Sequence, residues 1–284
     1  MSVLYFEIIT SFVTQSQSTR SASVVIDHVR VEYPGAGNEA ALVAIADISL
    51  TIAAGEFVSI IGPSGCGKSS LLYLINGINT PAAGNIVVDG ETVTKPSASR
   101  ALVFQDASLL PWNSVVANVA MGLQVAGVPK AEREAQADVL LKLVGLDGFG
   151  TKLPHQLSGG MKQRVGIARA LCVDPAVLLM DEPFGALDAQ TRQLMGVELL
   201  RIWRERQKTI VFVTHDIDEA IYLADRVVVL SARPARVLEE VRIDLPRPRA
   251  LDIQNTEAFR ETRERIWKLL EAEVTAAWMA SGEA

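Results

Sequence analysis

A chain of 284 residues is long enough for one large domain or two small ones, and a hydrophobic fraction of 49% can fill a sizeable core. With 27 basic against 33 acidic residues the net charge is −6, which argues against non-specific nucleic-acid binding. The two cysteines, Cys66 and Cys172, have neither a disulfide framework nor metal-ligand spacing, so reduced thiols in a cytosolic compartment are expected.

Residues 1–22 read as a disordered extension. Val3 to Val13 is too short to span a membrane and is interrupted by Glu7, no basic residue precedes Arg20 as a signal peptide would need, and Thr14 to Thr19 is polar and aperiodic. Val24 to Arg30 then reads as a strand, with a turn through Val31 to Gly35. Ile45 to Ile52 and Glu56 to Ile61 read as further strands. Next, Gly62-Pro63-Ser64-Gly65-Cys66-Gly67-Lys68-Ser69 fits G-x-x-x-x-G-K-[ST]. It lies between the apolar run Phe57 to Ile61 and the helical run Ser70 to Ile75, which Asn76-Gly77 ends. Such a loop turns backbone N–H groups toward phosphate oxygens, and the helix N-terminus adds partial positive charge. Lys68 supplies a mobile cation for the outer phosphates, and the Ser69 hydroxyl can ligate Mg²⁺.

Asn85 to Val93 reads as a hairpin about Asp89-Gly90, and Ala101 to Phe104 as a buried strand. Val115 to Val125 and Lys130 to Val144 have helical spacing, are separated by Gly127-Val128-Pro129 and end at Gly145, so residues 106–157 form a small helical insertion. Gly160 to Cys172, Ala189 to Arg206 and Ile217 to Leu223 read as helices; Ala176 to Met180, Thr209 to Thr214 and Arg226 to Leu230 read as strands. This alternation implies an α/β fold with a mostly parallel sheet, preceded by a β-rich N-terminal third. After an extended Leu245-Pro246-Arg247-Pro248-Arg249, the tail is amphipathic, with Phe259, Ile266, Trp267, Leu270, Val274 and Trp278 near one face. Packing of that face on the core is the expectation, and partner binding the alternative.

Ligands of open parallel sheets bind at the carboxyl ends of strands. Asp181, ending the run Val177 to Met180, would lie near Ser69 and the cation. Glu182 would orient or deprotonate a water. Gln105 and His215 also follow strands: a glutamine can ligate Mg²⁺ and a histidine can bond a terminal phosphate, although each alone would read as a solvated loop residue. Leu157-Ser158-Gly159-Gly160 makes a second phosphate-binding loop, with Ser158 as N-cap, and local physics does not say which phosphate it meets.

Together the loop at 62–69, Gln105, Leu157-Ser158-Gly159-Gly160, Asp181-Glu182, Ala186-Leu187-Asp188 and His215 resemble the nucleotide-binding subunit of ATP-binding-cassette (ABC) transporters, over about residues 23–250. The resemblance implies a P-loop NTPase (RecA-like) core with an N-terminal antiparallel β subdomain and an inserted helical subdomain. It places an ABC ATPase domain at 23–245 and a helical tail at 246–284. It also implies ATP and Mg²⁺ as cofactors, held by Gly62 through Ser70, with Ser69, Gln105 and Asp181 on the metal and Glu182, His215, Lys68 and Gln105 in catalysis. Tyr33 matches the aromatic that stacks on adenine, the alternative being a turn aromatic packed on the hairpin. A head-to-tail homodimer would bring Ser158, Gly159 and Gly160 of one copy to the nucleotide of the other, with Asp188 at that contact. Integral-membrane permease subunits and, indirectly, a periplasmic or lipid-anchored solute-binding protein are implied partners; the implied location is peripheral, at the cytoplasmic face of the inner membrane. Gln105 to Trp112, Leu230 to Pro234 and Leu245 to Arg249 are similar to importers for nitrate, sulfonates and taurine. The rivals are a non-transport ABC ATPase, which usually carries two cassettes or a long coiled coil, and a small-molecule P-loop kinase, which leaves Ser158-Gly159-Gly160 unexplained.

Overall fold

The computed structural model describes residues 21–35 and 41–281, without the side chains of Val274 and residues 276–281. Residues 1–20 of the expected extension therefore lie outside it, as does the Trp278 side chain. Ala22, assigned to that extension, is buried, and its carbonyl accepts a 2.6 Å hydrogen bond from Thr209 Oγ1. The folded part thus begins at or before Ala22, not at Ser23.

Two sheets carry the fold. The first is antiparallel, in the order β2 (Leu42–Ile52), β1 (Val24–Tyr33), β4 (Ala83–Val88), β5 (Glu91–Thr92). β1 continues through Val31 to Tyr33, where a turn was expected, because these residues pair with Ile45, Val43 and Leu42 across register shifts. The β4–β5 hairpin turns on Asp89 and Gly90, both at positive φ, which suits the twist of a two-residue turn.

The second sheet has six strands, in the order β10 (Val237–Arg242), β9 (Arg226–Leu230), β3 (Phe57–Ile61), β8 (Thr209–Val213), β7 (Val177–Asp181), β6 (Arg100–Val103). β9 to β6 are parallel, and β10 closes the edge antiparallel to β9. β10 escaped the sequence reading because Val237-Leu238-Glu239-Glu240-Val241-Arg242 is an edge strand with polar residues toward solvent, not an apolar run. Residues of the central strands alternate between two cores. Val58, Ile60, Leu179, Val211 and Val213 pack with the antiparallel sheet and with α1 (Lys68–Asn76). Phe57, Ile61, Leu178, Met180, Ile210 and Phe212 pack on the opposite face, with α5 (Gly159–Cys172), α6 (Ala189–Arg206) and α7 (Ile217–Leu223). Strands buried on both faces explain the continuous apolar runs in the sequence.

The insertion consists of α2 (Val115–Val119), α3 (Met121–Val125) and α4 (Lys130–Leu143). The single helix expected over 115–125 is interrupted at Ala120, whose ψ is −3°. Val115, Val119, Ala137, Leu140 and Leu141 make its apolar contact with the rest of the chain.

The tail is fastened by its own arginines. Arg249, 6% exposed, donates to the carbonyls of Ile221, Tyr222 and Ala224 at 2.7–3.0 Å, capping the C-terminus of α7 with positive charge. Arg247 donates to Asp225 and lies 4.3 Å over the Trp203 ring. α8 (Glu257–Ser281) then packs on the core through Phe259, Ile266 and Leu270. Trp267, expected on that face, is 59% exposed instead. It lines a cleft of about 830 Å³ shared with Gly62, Pro63, Ser64 and His215.

Candidate functional site: a phosphate loop at the sheet edge

β3, fully buried, delivers the chain to Gly62 at the carboxyl edge of the parallel sheet. The loop can curl because Gly65 and Gly67 have φ of 73° and 112°, and a β-carbon on Gly67 would come 3.1 Å from Ile45. Gly67 caps α1, so the first helical N–H groups face the inside of the loop. Lys68 is 7% exposed, and its ammonium donates to the Gly62 and Pro63 carbonyls at 2.8 and 2.9 Å. The charge is therefore held within the curl by backbone carbonyls.

β7 delivers the two carboxylates. Asp181, 2% exposed, accepts from Ser69 Oγ at 3.0 Å. Burial pushes its carboxyl above the ordinary range, against the pull of Ser69 and Lys68 and with the help of Glu182. A buried carboxylate with too little counter-charge, beside a hydroxyl, is a donor set suited to a hard cation. Glu182 turns out of the strand at a φ of 44°, while its N–H still bonds Val213 O at 2.9 Å. Its Oε2 accepts from Gln105 Nε2 at 3.3 Å and lies 3.1 Å from His215 Nδ1, which donates when that nitrogen carries the proton. Three strand ends, those of β6, β7 and β8, thus converge on one carboxylate.

Tyr33, Ser64, Gly65, Gly67, Lys68, Ser69, Ser70, Gln105, Glu182 and His215 line a single cleft of about 650 Å³. Tyr33 OH and Ser70 Oγ are 2.7 Å apart, which ties the end of β1 to α1. Gly62, Pro63, Cys66 and Asp181 complete the loop and its support. Ser158, Gly159 and Gly160 are placed elsewhere. Ser158 caps α5 by accepting from Met161 N, Ser158 and Gly159 are exposed, and a β-carbon on Gly159 would meet nothing within 4 Å. Asp188 caps α6, accepting from the Thr191 N–H and hydroxyl at 2.9 and 2.7 Å.

Two residues were given no place in the site from the sequence. Arg192, one turn into α6, lies 3.4 Å from Asp216 and 3.6 Å from Glu219, and donates to Leu187 O. It links the segment before α6 to the segment carrying His215. Arg233 also lines the cleft. Its position after a strand was the available signal.

Residues 45–185 match the sequence model of the family described as ABC transporter. An uncharacterized ABC transporter ATP-binding protein of Methanocaldococcus jannaschii is 52% identical over 231 residues, which are 81% of this chain and 85% of the relative. The chain belongs to the ABC transporter family. It is an ATPase cassette of that family, and the carboxylates, Gln105 and His215 are gathered around its phosphate loop. The taurine import ATP-binding protein TauB of Pseudomonas putida is 48% identical over 250 residues, 86% of this cassette and 94% of TauB. Among solved structures, the dimeric post-hydrolysis state of the ATP-binding cassette MJ0796 bound to ADP and Pi aligns with a TM-score of 0.72 at 33% identity. It covers 78% of this chain and all of that one.

Proposed function

We propose that this cassette is the ATP-hydrolysing subunit of an importer for a small sulfonate-type anion, with taurine the first candidate. The observation that carries the chemistry is Glu182 Oε2, held by Gln105 and His215 in the cleft that contains Lys68 and Ser69. Backbone N–H groups of the loop and Lys68 bind the phosphates, and Glu182 takes the proton of a water aimed at the terminal phosphate. Gln105 and His215 hold that carboxylate in place. Catalysis of this kind consists mostly of positioning and charge stabilisation. Mg²⁺ fits Ser69 and Asp181, and Gln105 lines the same cleft as Ser69; when bound it would neutralise phosphate charge. Among the described residues no three His, Cys, Asp or Glu side chains converge on a metal site, so the cation would rest on one carboxylate, neutral oxygens and the nucleotide itself.

The exposed Ser158 loop supports a head-to-tail pair in which each copy completes the other's site, as does the dimeric form of the related cassette MJ0796. Among the described residues no helix is long and apolar enough to cross a membrane, so transport would run through separate permease subunits. A solute-binding protein would deliver the anion, with the cassette docked at the cytoplasmic face. TauB's name and its 48% identity support the solute class. The test is Glu182→Gln: it should bind ATP, lose about 100-fold or more in turnover, and elute as a dimer with ATP on gel filtration. Wild-type turnover would reject Glu182 as base. Absence of taurine-stimulated ATPase in the reconstituted complex with permease and binding protein would reject the solute.

A further inference from the structure

Ser231-Ala232-Arg233-Pro234 leaves β9 at the same sheet edge as Asp181, Glu182, Gln105 and His215. Arg233 lines the nucleotide cleft, and its Nη2 lies 3.1 Å from where Gly65 would carry a β-carbon, at the crest of the phosphate loop. Its charge is felt inside that loop: burial pushes the Cys66 thiol up, while Lys68 and, more weakly, Arg233 oppose the shift. Among the described residues no carboxylate pairs with the Arg233 guanidinium.

The segment is secured on three sides. Ser231 Oγ accepts from Arg236 N at 3.1 Å. Ala235 N–H donates to Ala44 O at 2.9 Å, and Ala46 N–H to Ala235 O at 3.0 Å, pinning the segment to β2. From α8, Glu273 Oε2 accepts the Ala232 N–H at 2.8 Å. A guanidinium on a fixed base, exposed beside N–H groups that converge on phosphate, has phosphate oxygens as its chemical complement.

We propose that Arg233 binds the phosphate chain of the nucleotide held by the Gly62–Ser69 loop, and that Glu273 of the C-terminal helix is a positioning residue for the segment carrying it. This rests on reading that loop as the ATP site. The test is equilibrium binding of ATP and of adenosine to the full-length chain. Arg233→Ala should weaken ATP about tenfold, with the deficit shrinking as salt is added, leave adenosine unchanged, and be partly recovered by Arg233→Lys. Glu273→Ala should give a smaller loss that vanishes once Arg233 is already alanine, and Glu273→Gln, which keeps an oxygen acceptor, should restore binding. Wild-type ATP affinity in Arg233→Ala, alongside lost binding in Lys68→Ala, overturns the proposal and leaves the site reading intact. Retained binding in Lys68→Ala overturns the site reading itself. A Glu273→Ala loss that persists without Arg233 overturns the positioning role. An unchanged affinity with an altered protein-concentration dependence of turnover moves Arg233 to the contact between copies and likewise overturns the proposal.

Discussion

Glu219 shows how much one side chain's surroundings matter. It sits in the first turn of α7, where its carboxylate accepts from Thr214 Oγ1 at 2.6 Å. Burial, aided by the Asp216 carboxylate, pushes it from 4.5 up to about 7, against the Thr214 hydroxyl, Arg192 and His215. Between those values the folded chain holds a proton that the unfolded chain has lost. This contribution to stability is therefore full at low pH, falls as pH rises and is gone above about 7. Glu219→Gln, permanently neutral, should match the wild type near pH 4, below the unfolded value, and exceed it near pH 8. The gain would be on the order of 3 kcal/mol at most, at about 1.4 kcal/mol per pH unit. Urea denaturation of both proteins at the two pH values checks this, and a pH-independent difference would refute it. Asp181 and Glu182 were legible in the sequence because an apolar strand ends in them. Glu219 was not, because its burial comes from segments far away in the chain.

At the scale of elements, strand–loop–helix punctuation carried most of the reading. The bounds of α6, α7 and β9 match the expected runs, since each is closed by a capping residue or a change of period. Asp188 and Asp216, for example, accept N-terminal N–H groups of α6 and α7. Gly77, which ends α1, has a φ of 90°, and a β-carbon there would come within 2.5 Å of the Lys95 backbone. Gly90, with a φ of 82° in the hairpin turn, would meet nothing within 4 Å. Gly77→Ala should therefore cost about 2–4 kcal/mol and Gly90→Ala only about 1 kcal/mol, the left-handed strain alone. Chemical denaturation of the two variants decides it; equal losses would mean that the Lys95 backbone yields freely. β10 stayed hidden because an edge strand exposes one rim to water and needs no apolar run.

For the whole molecule the question is where the site is completed. The cleft gathers Lys68, Ser69, Gln105, Glu182 and His215, while Ser158 and Gly159 are exposed outside its lining. If two copies exchange these loops, Lys68→Ala and Ser158→Arg should each be inactive alone, yet a mixture should regain a measurable fraction of turnover. A mixed pair joins the intact phosphate loop of the Ser158→Arg chain to the intact Ser158 of the Lys68→Ala chain. ATPase assays across mixing ratios check this, and no recovery at any ratio would argue for a site complete within one chain.

By itself the sequence determined the glycine-rich loop between β3 and α1, the carboxylates after β7, the β-rich start, the helical insertion and the alternation that makes a parallel sheet. These are local facts, written in period, glycine placement and capping residues. Only the tertiary structure decided that Gln105 and His215 both reach Glu182, that Arg233 stands over Gly65, and that Arg249 caps α7 while Trp267 faces a cleft. Those relations depend on strand order in the sheet and on the docking of the tail, which are set by packing between residues more than 20 positions apart in the chain.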